Sequence, residues 1–203
     1  MTTEHWQAAY ENATEHSWDQ TGAGADLALL DEAGLHVDDS VIDVGGGDGA
    51  FSEALLRRGH QDLTVLDIAS SALDAGRARL GEAQSRVQWI STDVRAWVPD
   101  RTWRIWHDRA AFHFLTTEDD RKGYRRALAS ATEAGSLVCV GTFAENGPTH
   151  CSGLPVARYS PEGLAEALRG GELDLDLLAT GHEAHRTPHG ATQEFAWVVL
   201  RLA

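Results

Sequence analysis

The stretch VIDVGGGDGAF, residues 41–51, decides the fold of this protein. Its branched apolar residues predict a buried strand over 40–44, and Phe51, Ala54 and Leu55 follow at helical spacing, with Gly59 as a stop. The predicted order is strand, glycine turn, helix. Glycine in a turn costs conformational entropy, and it serves where the backbone adopts left-handed torsions or approaches a ligand closely. We therefore expect this turn to hold a ligand.

The same alternation continues along the chain. Ser70 or Ser71 is expected to cap the helix that follows the second strand. Strands that alternate with helices imply right-handed crossovers and a parallel sheet covered on both faces, so the fold class is α/β. Residues 173–203 have the pattern of two strands joined by a polar turn, an antiparallel hairpin at one sheet edge. Further strands are predicted over 62–68, 86–93, 102–108 and 136–143, and helices over 70–83, 119–132 and 161–171.

Composition restricts the partners of the protein. A chain of 203 residues has the size of a single domain, 1–203. Its 17 Lys and Arg against 31 Asp and Glu give a formal net charge of −14, which would repel nucleic acid and anionic membranes. The start MTTEHWQAAY lacks the features of a secretion signal, and we expect a cytoplasmic protein. Cys139 and Cys151 have no disulfide-like or zinc-like spacing.

The charges around the glycine turn favour one kind of ligand. Glycine-rich turns of this type also bind dinucleotides, whose pyrophosphate needs a cation or a helix N-terminus. Here Asp43 precedes the glycines and Asp48 lies among them. Two carboxylates beside a pyrophosphate would cost Coulomb energy, whereas they attract a molecule that carries an amine and a sulfonium.

At this point the sequence resembles the seven-strand, Rossmann-like class I methyltransferases that use S-adenosylmethionine and release S-adenosylhomocysteine. DVGGGDG fits the first motif of that family, DxGxGxG, with Gly45, Gly47 and Gly49 as its glycines. The resemblance implies a mostly parallel seven-stranded sheet with helices on both faces and a C-terminal antiparallel hairpin. It also implies that Asp67, followed by Ile68, bonds both ribose hydroxyls, that Asp93 lies at the adenine amino group, and that Val94 lies beside the ring.

Three histidine-containing segments follow the predicted fourth and fifth strands, where the methyl acceptor should bind. They are WHDRAAFHF (106–114), PTHCSGLPVARY (148–159) and GHEAHRTPHG (181–190). They resemble the segments HDRAxFHFL, CSGLPVxRY and ExHxTPxG of a subgroup of small bacterial methyltransferases. The resemblance indicates where the acceptor binds and does not define what it is.

The first of these segments supplies most of the candidate catalytic residues. His107 and Asp108 follow strand four, where the resemblance places an acceptor-orienting or basic group, and we favour His107, which would also approach the cofactor. A histidine satisfied by the backbone is the alternative. His113 faces the pocket or packs with its phenylalanine neighbours. Arg109 pairs with Asp108, with an acceptor carboxylate, or forms a structural ion pair.

The other two segments add Cys151 and His185. As a loop thiol near histidines, Cys151 could have a lowered pKa and bind a soft acceptor, or it could be an inert loop residue. Glu183 and His185 are two apart in an extended segment, which puts both side chains on one side. A metal site built from His107 or His113 with Cys151 and His185 matches no familiar ligand spacing, and we predict no metal.

Two segments are expected to cover the pocket. Residues 1–24 resemble the variable N-terminal lid of the family, with Trp6, Tyr10 and Trp18 as aromatic covers and Gln20 beside them; aromatic rings around a sulfonium supply cation–π attraction. Trp18 is the preferred cofactor contact. Residues 145–160 form a loop of about sixteen residues, a length that is more often functional than idle.

The function predicted from these observations is S-adenosylmethionine-dependent methyl transfer to a small soluble acceptor through a sulfur, nitrogen or oxygen nucleophile. The protein would act as a monomer or homodimer, without nucleic acid or membrane. The alternative is a catalytically silent S-adenosylmethionine-binding sensor or partner subunit. A nucleotide-dependent oxidoreductase conflicts with Asp43 and with the lack of a second catalytic domain.

Overall fold

The computed structural model describes residues 3–12, 24–171 and 173–203. The helices are α1 (Thr3–Asn12), α2 (Ala25–Ala33), α3 (Ala50–Arg57), α4 (Ser70–Leu80), α5 (Glu118–Ala131) and α6 (Pro161–Arg169). The strands are β1 (Val41–Val44), β2 (Leu63–Asp67), β3 (Val87–Ser91), β4 (Ile105–Arg109), β5 (Leu137–Phe143), β6 (His150–Cys151), β7 (Leu154–Pro155), β8 (Leu175–Arg186) and β9 (Thr192–Leu202).

Seven strands form one sheet in the order β3-β2-β1-β4-β5-β9-β8. The first five strands in that order pair in parallel, and β9 and β8 are antiparallel. This arrangement confirms the predicted α/β fold, including the C-terminal hairpin. The fourth strand begins at Ile105 and not at 102, because the amide of Trp103 donates to the carbonyl of Ala131 at the end of α5.

Alternate residues of the strands point into two apolar layers. Ile42 and Val44 of β1 pack with residues of α5 and α6, whereas Val41 packs with residues of α2, α3 and α4. The two layers are the cores on opposite faces of the sheet, as alternation along a buried strand requires. Cys139 lies fully buried in the second layer.

The strand order reverses between β1 and β4. From β1 the chain goes outward to β2 and β3, and it then returns to the other side of β1 to form β4 and β5. Ligands of open α/β sheets bind at such a reversal, beyond the carboxyl ends of the strands. The glycine turn after β1 and the segment after β4 lie at this point.

Two local features differ from the sequence expectation. Ala69, and not Ser70 or Ser71, occupies the N-cap of α4, and the amide of Ser71 donates instead to Gln7 Oε1 of helix α1 at 2.9 Å. The loop 145–160 contains a short hairpin of β6 and β7, in which Ser152 and Gly153 have positive φ angles of 50° and 76°.

Within the described residues, no helix combines the length and the apolarity needed to cross a bilayer.

Candidate active site

A cavity opens at the strand-order reversal. Its floor comes from the ends of β1, β2 and β4, and its cover includes residues of α1 and α2. The lining residues are Trp6, Tyr10, Asp26, Asp43, Val44, Gly45, Gly46, Gly47, Asp48, Ala50, Phe51, Leu66, Asp67, Ile68, Arg79, Thr92, Asp93, Val94, His107, Arg109, Ala110, Ala111, Phe114 and Cys151.

The glycine turn has the left-handed backbone that the sequence predicted. Gly45, Gly47 and Gly49 have φ angles of 67°, 55° and 73°, a region that residues with a side chain rarely adopt. Gly45 and Gly47 line the cavity. Gly49 does not line it. It precedes helix α3, and a Cβ there would lie 3.1 Å from the ring of Trp89, so its role is structural.

Gly46, which the motif treats as a variable position, is also required. A Cβ on Gly46 would lie 2.5 Å from Asp43 Oδ2 and 2.9 Å from a methyl carbon of Val65. The middle one of the three consecutive glycines therefore makes room for the carboxylate of Asp43. No spacing in the sequence signalled this contact, because it depends on the rotamer of Asp43.

Asp67 ends β2 and faces the turn. Its Oδ2 accepts from the amide of Gly47 at 3.0 Å, and its Oδ1 accepts from the amide of Ala69 at 2.8 Å. Burial raises the pKa of Asp67 to about 6, although the two amide bonds oppose the shift. Each carboxylate oxygen retains a lone pair, so two further hydroxyl donors can bind there and would stabilise the ionised form.

Two further carboxylates that line the cavity, Asp48 and Asp93, form ion pairs with arginines. Asp93 Oδ2 lies 2.6 Å from Arg95, whose hydrogen bonds lower the pKa of Asp93 despite its partial burial. Asp48 lies 2.6 Å from Arg79. Asp48 therefore contributes less negative potential than its position in the motif suggested. Among the described residues, no arginine lies within ion-pair distance of Asp26, Asp43 or Asp67, and Asp26 and Asp43 share the ring of His107.

His107 lies between two buried carboxylates. Its Nδ1 is 2.8 Å from Asp43 Oδ1, and its Nε2 is 3.3 Å from Asp26 Oδ2. Burial alone lowers the pKa of His107, but the two carboxylates outweigh it and raise that pKa to about 9. His107 is therefore protonated at neutral pH. It lines the cavity as a cation and is unsuited to the role of general base, which was one of the two roles expected for it.

Three observations indicate that these residues can bind S-adenosylmethionine. The backbone of Gly45 and Gly47 can approach a ligand without a Cβ. Asp67 offers two oxygens beside the turn. Asp43 Oδ2 is buried and has no hydrogen-bond partner among the described residues, which fits a missing cationic donor. Ile68 and Val94 add apolar walls where the resemblance places the cofactor.

Two predicted acceptor-side residues lie in the core and do not line the cavity. Asp108 accepts from the hydroxyl of Tyr124 at 2.7 Å and from the amide of Ala111 at 2.8 Å. His113 is fully buried, and burial lowers its pKa to about 3. Its Nδ1 accepts weakly from the amide of Phe143 at 3.4 Å. Asp108 therefore does not face the acceptor as expected. For His113 the second of its two alternatives holds, because its ring packs against Phe114 and Phe143.

Cys151 and His185 do not form a common site. Cys151 lines the cavity from β6. Burial raises the pKa of its thiol to about 11, which contradicts the lowered pKa of one alternative and fits the other, an inert thiol. His185 lies on β8 and packs edge-on against Phe195, outside the lining of the cavity. Among the described residues, no group of three or more His, Cys, Asp or Glu side chains could hold a metal ion.

Arg109, at the end of β4, contacts residues of the C-terminal hairpin formed by β8 and β9. Its Nη2 lies 3.9 Å from Glu183 Oε1, and its guanidinium lies 4.8 Å from the ring centre of Phe195. Glu183 in turn accepts from the indole nitrogen of Trp197 at 2.9 Å. Of the three alternatives expected for Arg109, the structural ion pair is present, with Glu183, whereas Asp108 bonds to Tyr124.

Helix α1 supplies the aromatic cover. Trp6 packs edge-on against Phe114, with ring centres 4.9 Å apart, and Tyr10 places its hydroxyl 2.4 Å from the position that a Cβ on Gly47 would take. Gln7 fastens the helix to Ser70 and Ser71 at the start of α4. Trp18 and Gln20, the preferred contacts, lie outside the described residues.

Fold and site together define a Rossmann-like domain with the architecture of class I methyltransferases. Residues 41–135 match the family model described as a methyltransferase domain. This match includes the glycine turn, Asp67, Asp93 and His107. The matched segment covers 95 of the 203 residues, a little under half of the chain.

Solved structures show the same fold at low sequence identity. The structure from "Conversion of a Disulfide Bond into a Thioacetal Group during Echinomycin Biosynthesis" is 18% identical, with a TM-score of 0.77 over 99% of this chain and 93% of that one. A methyltransferase of Anabaena variabilis has 16% identity and a TM-score of 0.76 over the same shares. The glycopeptide N-methyltransferase MtfA with sinefungin has 15% identity and a TM-score of 0.69 over 93% and 96% of the two chains.

The curated relatives that match are much longer chains than this one. The eEF1A lysine and N-terminal methyltransferases of Mus musculus and Bos taurus are each 19% identical over 141 residues, or 69% of this chain. The chain spans about 20% of the length of these relatives.

Proposed function

We propose that the protein transfers the methyl group of S-adenosylmethionine to a small acceptor with a sulfur, nitrogen or oxygen nucleophile. The observation that carries the proposal is the pairing of Asp43 and Asp67, two buried carboxylates without arginine partners among the described residues, with a glycine turn that leaves the backbone open. Such a cradle attracts a cationic donor and repels phosphates.

S-Adenosylmethionine supplies an electrophilic methyl group on a sulfonium. In this site, Asp67 would accept the ribose hydroxyls through its two oxygens, and Val94 and Ile68 would flank the adenine. Trp6 and Phe114 would exclude water from the transfer region, since both line the cavity and pack against each other. The contribution of the chain is orientation and desolvation, the terms that dominate an in-line displacement.

The described side chains offer no histidine base at the acceptor end. His107 is protonated by its two carboxylates, and His113 is buried behind Phe114. An acceptor that is nucleophilic without enzymatic deprotonation, such as an amine already neutral or a thiolate, suits this site best. We therefore expect activity to rise with pH as the acceptor itself loses its proton.

A small acceptor is supported by the neighbours and by the cavity. One neighbour is a glycopeptide N-methyltransferase, and another comes from work on echinomycin biosynthesis. The curated relatives are named for a protein acceptor, but the chain spans a small part of them. The net charge of −14 opposes a nucleic-acid acceptor.

We extend the proposal to a soluble cytoplasmic enzyme, monomeric or dimeric, in which residues 145–160 act as the active-site loop.

The test is an incubation with methyl-labelled S-adenosylmethionine and separate panels of thiols, amines, phenols, carboxylates and lysine peptides. Formation of S-adenosylhomocysteine with a small-molecule panel, abolished in Asp67→Ala, is the expected result. Turnover with peptides alone would contradict the small acceptor. Tight cofactor binding without turnover in any panel would favour the sensor alternative.

A further inference from the structure

The Asp26–His107–Asp43 chain joins three segments that are far apart in sequence. Asp26 belongs to α2, His107 to β4 and Asp43 to β1, and the contacts span 81 and 64 positions. All three side chains are at most 3% exposed. Three buried ionisable groups in a row cost free energy unless their bonds are satisfied, so their arrangement calls for a specific reason.

The ring of His107 has a fixed orientation. It stacks on Phe51 with ring centres 3.6 Å apart and an interplanar angle of 9°. Its two nitrogens face opposite carboxylates, and an imidazolium donates to both. Asp26 is held in turn, because its Oδ1 accepts from the amide of Leu27 at 2.8 Å. These contacts fix the direction of Asp43 Oδ1, which points at His107 Nδ1.

The second oxygen of Asp43 ends the chain at the cavity. Oδ2 is buried, has no hydrogen-bond partner among the described residues, and lies over Gly46, where a Cβ would come within 2.5 Å. An unsatisfied carboxylate oxygen beside a ligand cavity fits a cationic ligand group. The donor carries two cationic groups, a sulfonium and an α-amine, and of these only the amine, at the end opposite the adenine, can donate a hydrogen bond to a carboxylate oxygen.

We propose that Asp26 and His107 are positioning residues for the methyl donor, which hold the Asp43 carboxylate so that its Oδ2 bonds the donor's amine. The inference rests on the proposed function. It assigns Asp26, a residue outside every recognised motif of the sequence, to cofactor binding, and it gives His107 an indirect role in place of acceptor chemistry.

The experiment compares two ligands in calorimetric titrations of the full chain. S-Adenosylhomocysteine carries the α-amine, whereas 5′-methylthioadenosine shares its adenosine and sulfur but lacks the amino-acid end, the α-amine together with the α-carboxylate. Asp26→Asn keeps the size of the side chain and removes its charge. We expect it to weaken S-adenosylhomocysteine about tenfold, as for a hydrogen bond to a charged group, and to change methylthioadenosine less than twofold. Asp74→Asn, an exposed carboxylate paired with Arg77, is the control and should change neither.

Equal weakening of both ligands by Asp26→Asn would overturn the positioning role and leave the cofactor assignment intact. Failure of the unaltered protein to bind S-adenosylhomocysteine would overturn the proposed function, and this inference with it. A second measurement needs no variant: the ring nitrogens of ¹⁵N-labelled His107 should shift more with S-adenosylhomocysteine than with methylthioadenosine, and equal shifts would contradict the proposal.

Discussion

The donor side and the acceptor side of the cavity differ in how their chemistry is encoded. On the donor side, the turn after β1 and the end of β2 act through backbone: positive φ angles at Gly45 and Gly47, and amides that bond Asp67. On the acceptor side, after β4, the histidines and the cysteine have their charge states set by burial and by partners from remote segments.

This difference explains which residues a sequence reveals. A left-handed turn demands glycine wherever it occurs, so its residues form a local pattern. A pKa depends on the field of groups that fold together from distant positions, so His107 and His113 look alike in sequence yet differ in pKa by several units, about 9 against about 3. Substitutions at Asp67 and Gly46 test the backbone-encoded side, and those at His107 and Cys151 test the burial-encoded side.

The largest expected effect is at Asp67. Asp67→Ala removes the acceptor of the Gly47 and Ala69 amides and both proposed ribose contacts. We expect affinity for S-adenosylhomocysteine to fall about 100-fold or more in calorimetry, as two hydrogen bonds to a charged group would give. Asp62→Ala, a half-exposed carboxylate that pairs with Arg101 just before β2, is the matched control. An affinity within threefold of the unaltered protein would refute the donor-side assignment.

A smaller effect is expected at Gly46. Gly46→Ala would force the Cβ against Asp43 Oδ2 and Val65, so either the turn or the carboxylate must shift. We expect affinity for S-adenosylhomocysteine to fall about tenfold and the melting temperature to drop by several degrees, as overpacking of a core site costs ~1–3 kcal/mol. Gly163→Ala in α6, whose Cβ would meet only Ser160 Oγ at 3.3 Å, should leave affinity unchanged. Normal binding by Gly46→Ala would show that Asp43 needs no such space.

The protonation of His107 predicts how stability depends on pH. Its folded pKa of about 9 lies above the ordinary histidine value, so its contribution is complete below about pH 6.5 and is lost as pH rises towards 9. Between pH 7 and 8.5 this group alone should lower the free energy of unfolding by about 1 kcal/mol per pH unit, somewhat below the limit of ~1.4 kcal/mol per unit for one whole proton. Urea titrations at pH 7, 7.75 and 8.5 measure the slope.

The control for this slope is His107→Gln, in which the decline should disappear even if the variant is less stable overall. Asp67 and Asp108, with folded pKa values of about 6, titrate below this window and do not confuse it. A decline that persists unchanged in His107→Gln would mean that the ring is neutral in the folded protein, and the positioning role of its imidazolium would fail.

The smallest effect is expected at Cys151. Its thiol is buried and has a pKa of about 11, so it supplies almost no thiolate at neutral pH. Cys151→Ser should change turnover by less than about threefold, and iodoacetamide at pH 8 should leave the cysteine of the folded protein unmodified. Rapid alkylation together with loss of turnover would restore the thiol as a participant in the reaction.

Much of the fold could be predicted from sequence because hydrophobic alternation and glycine position are local signals. β1, β2 and β5 follow directly from them, and the alternation of strands with helices predicts their parallel sheet. The cap of α4 could not be predicted, since the amide of Ser71 bonds Gln7, which is 64 positions away. The roles of Asp26 and Gly46 could not be predicted for the same reason. The role of Asp26 depends on its contact with His107, and that of Gly46 on the rotamer of Asp43, and both contacts form only in the folded chain.

Competition for the cavity tests the central claim most directly. In equilibrium dialysis with labelled S-adenosylmethionine at neutral pH, the account predicts that S-adenosylhomocysteine displaces the label at micromolar concentration, whereas NADH and ATP at a hundredfold excess do not. Displacement by NADH or ATP, with no competition from S-adenosylhomocysteine, would contradict it.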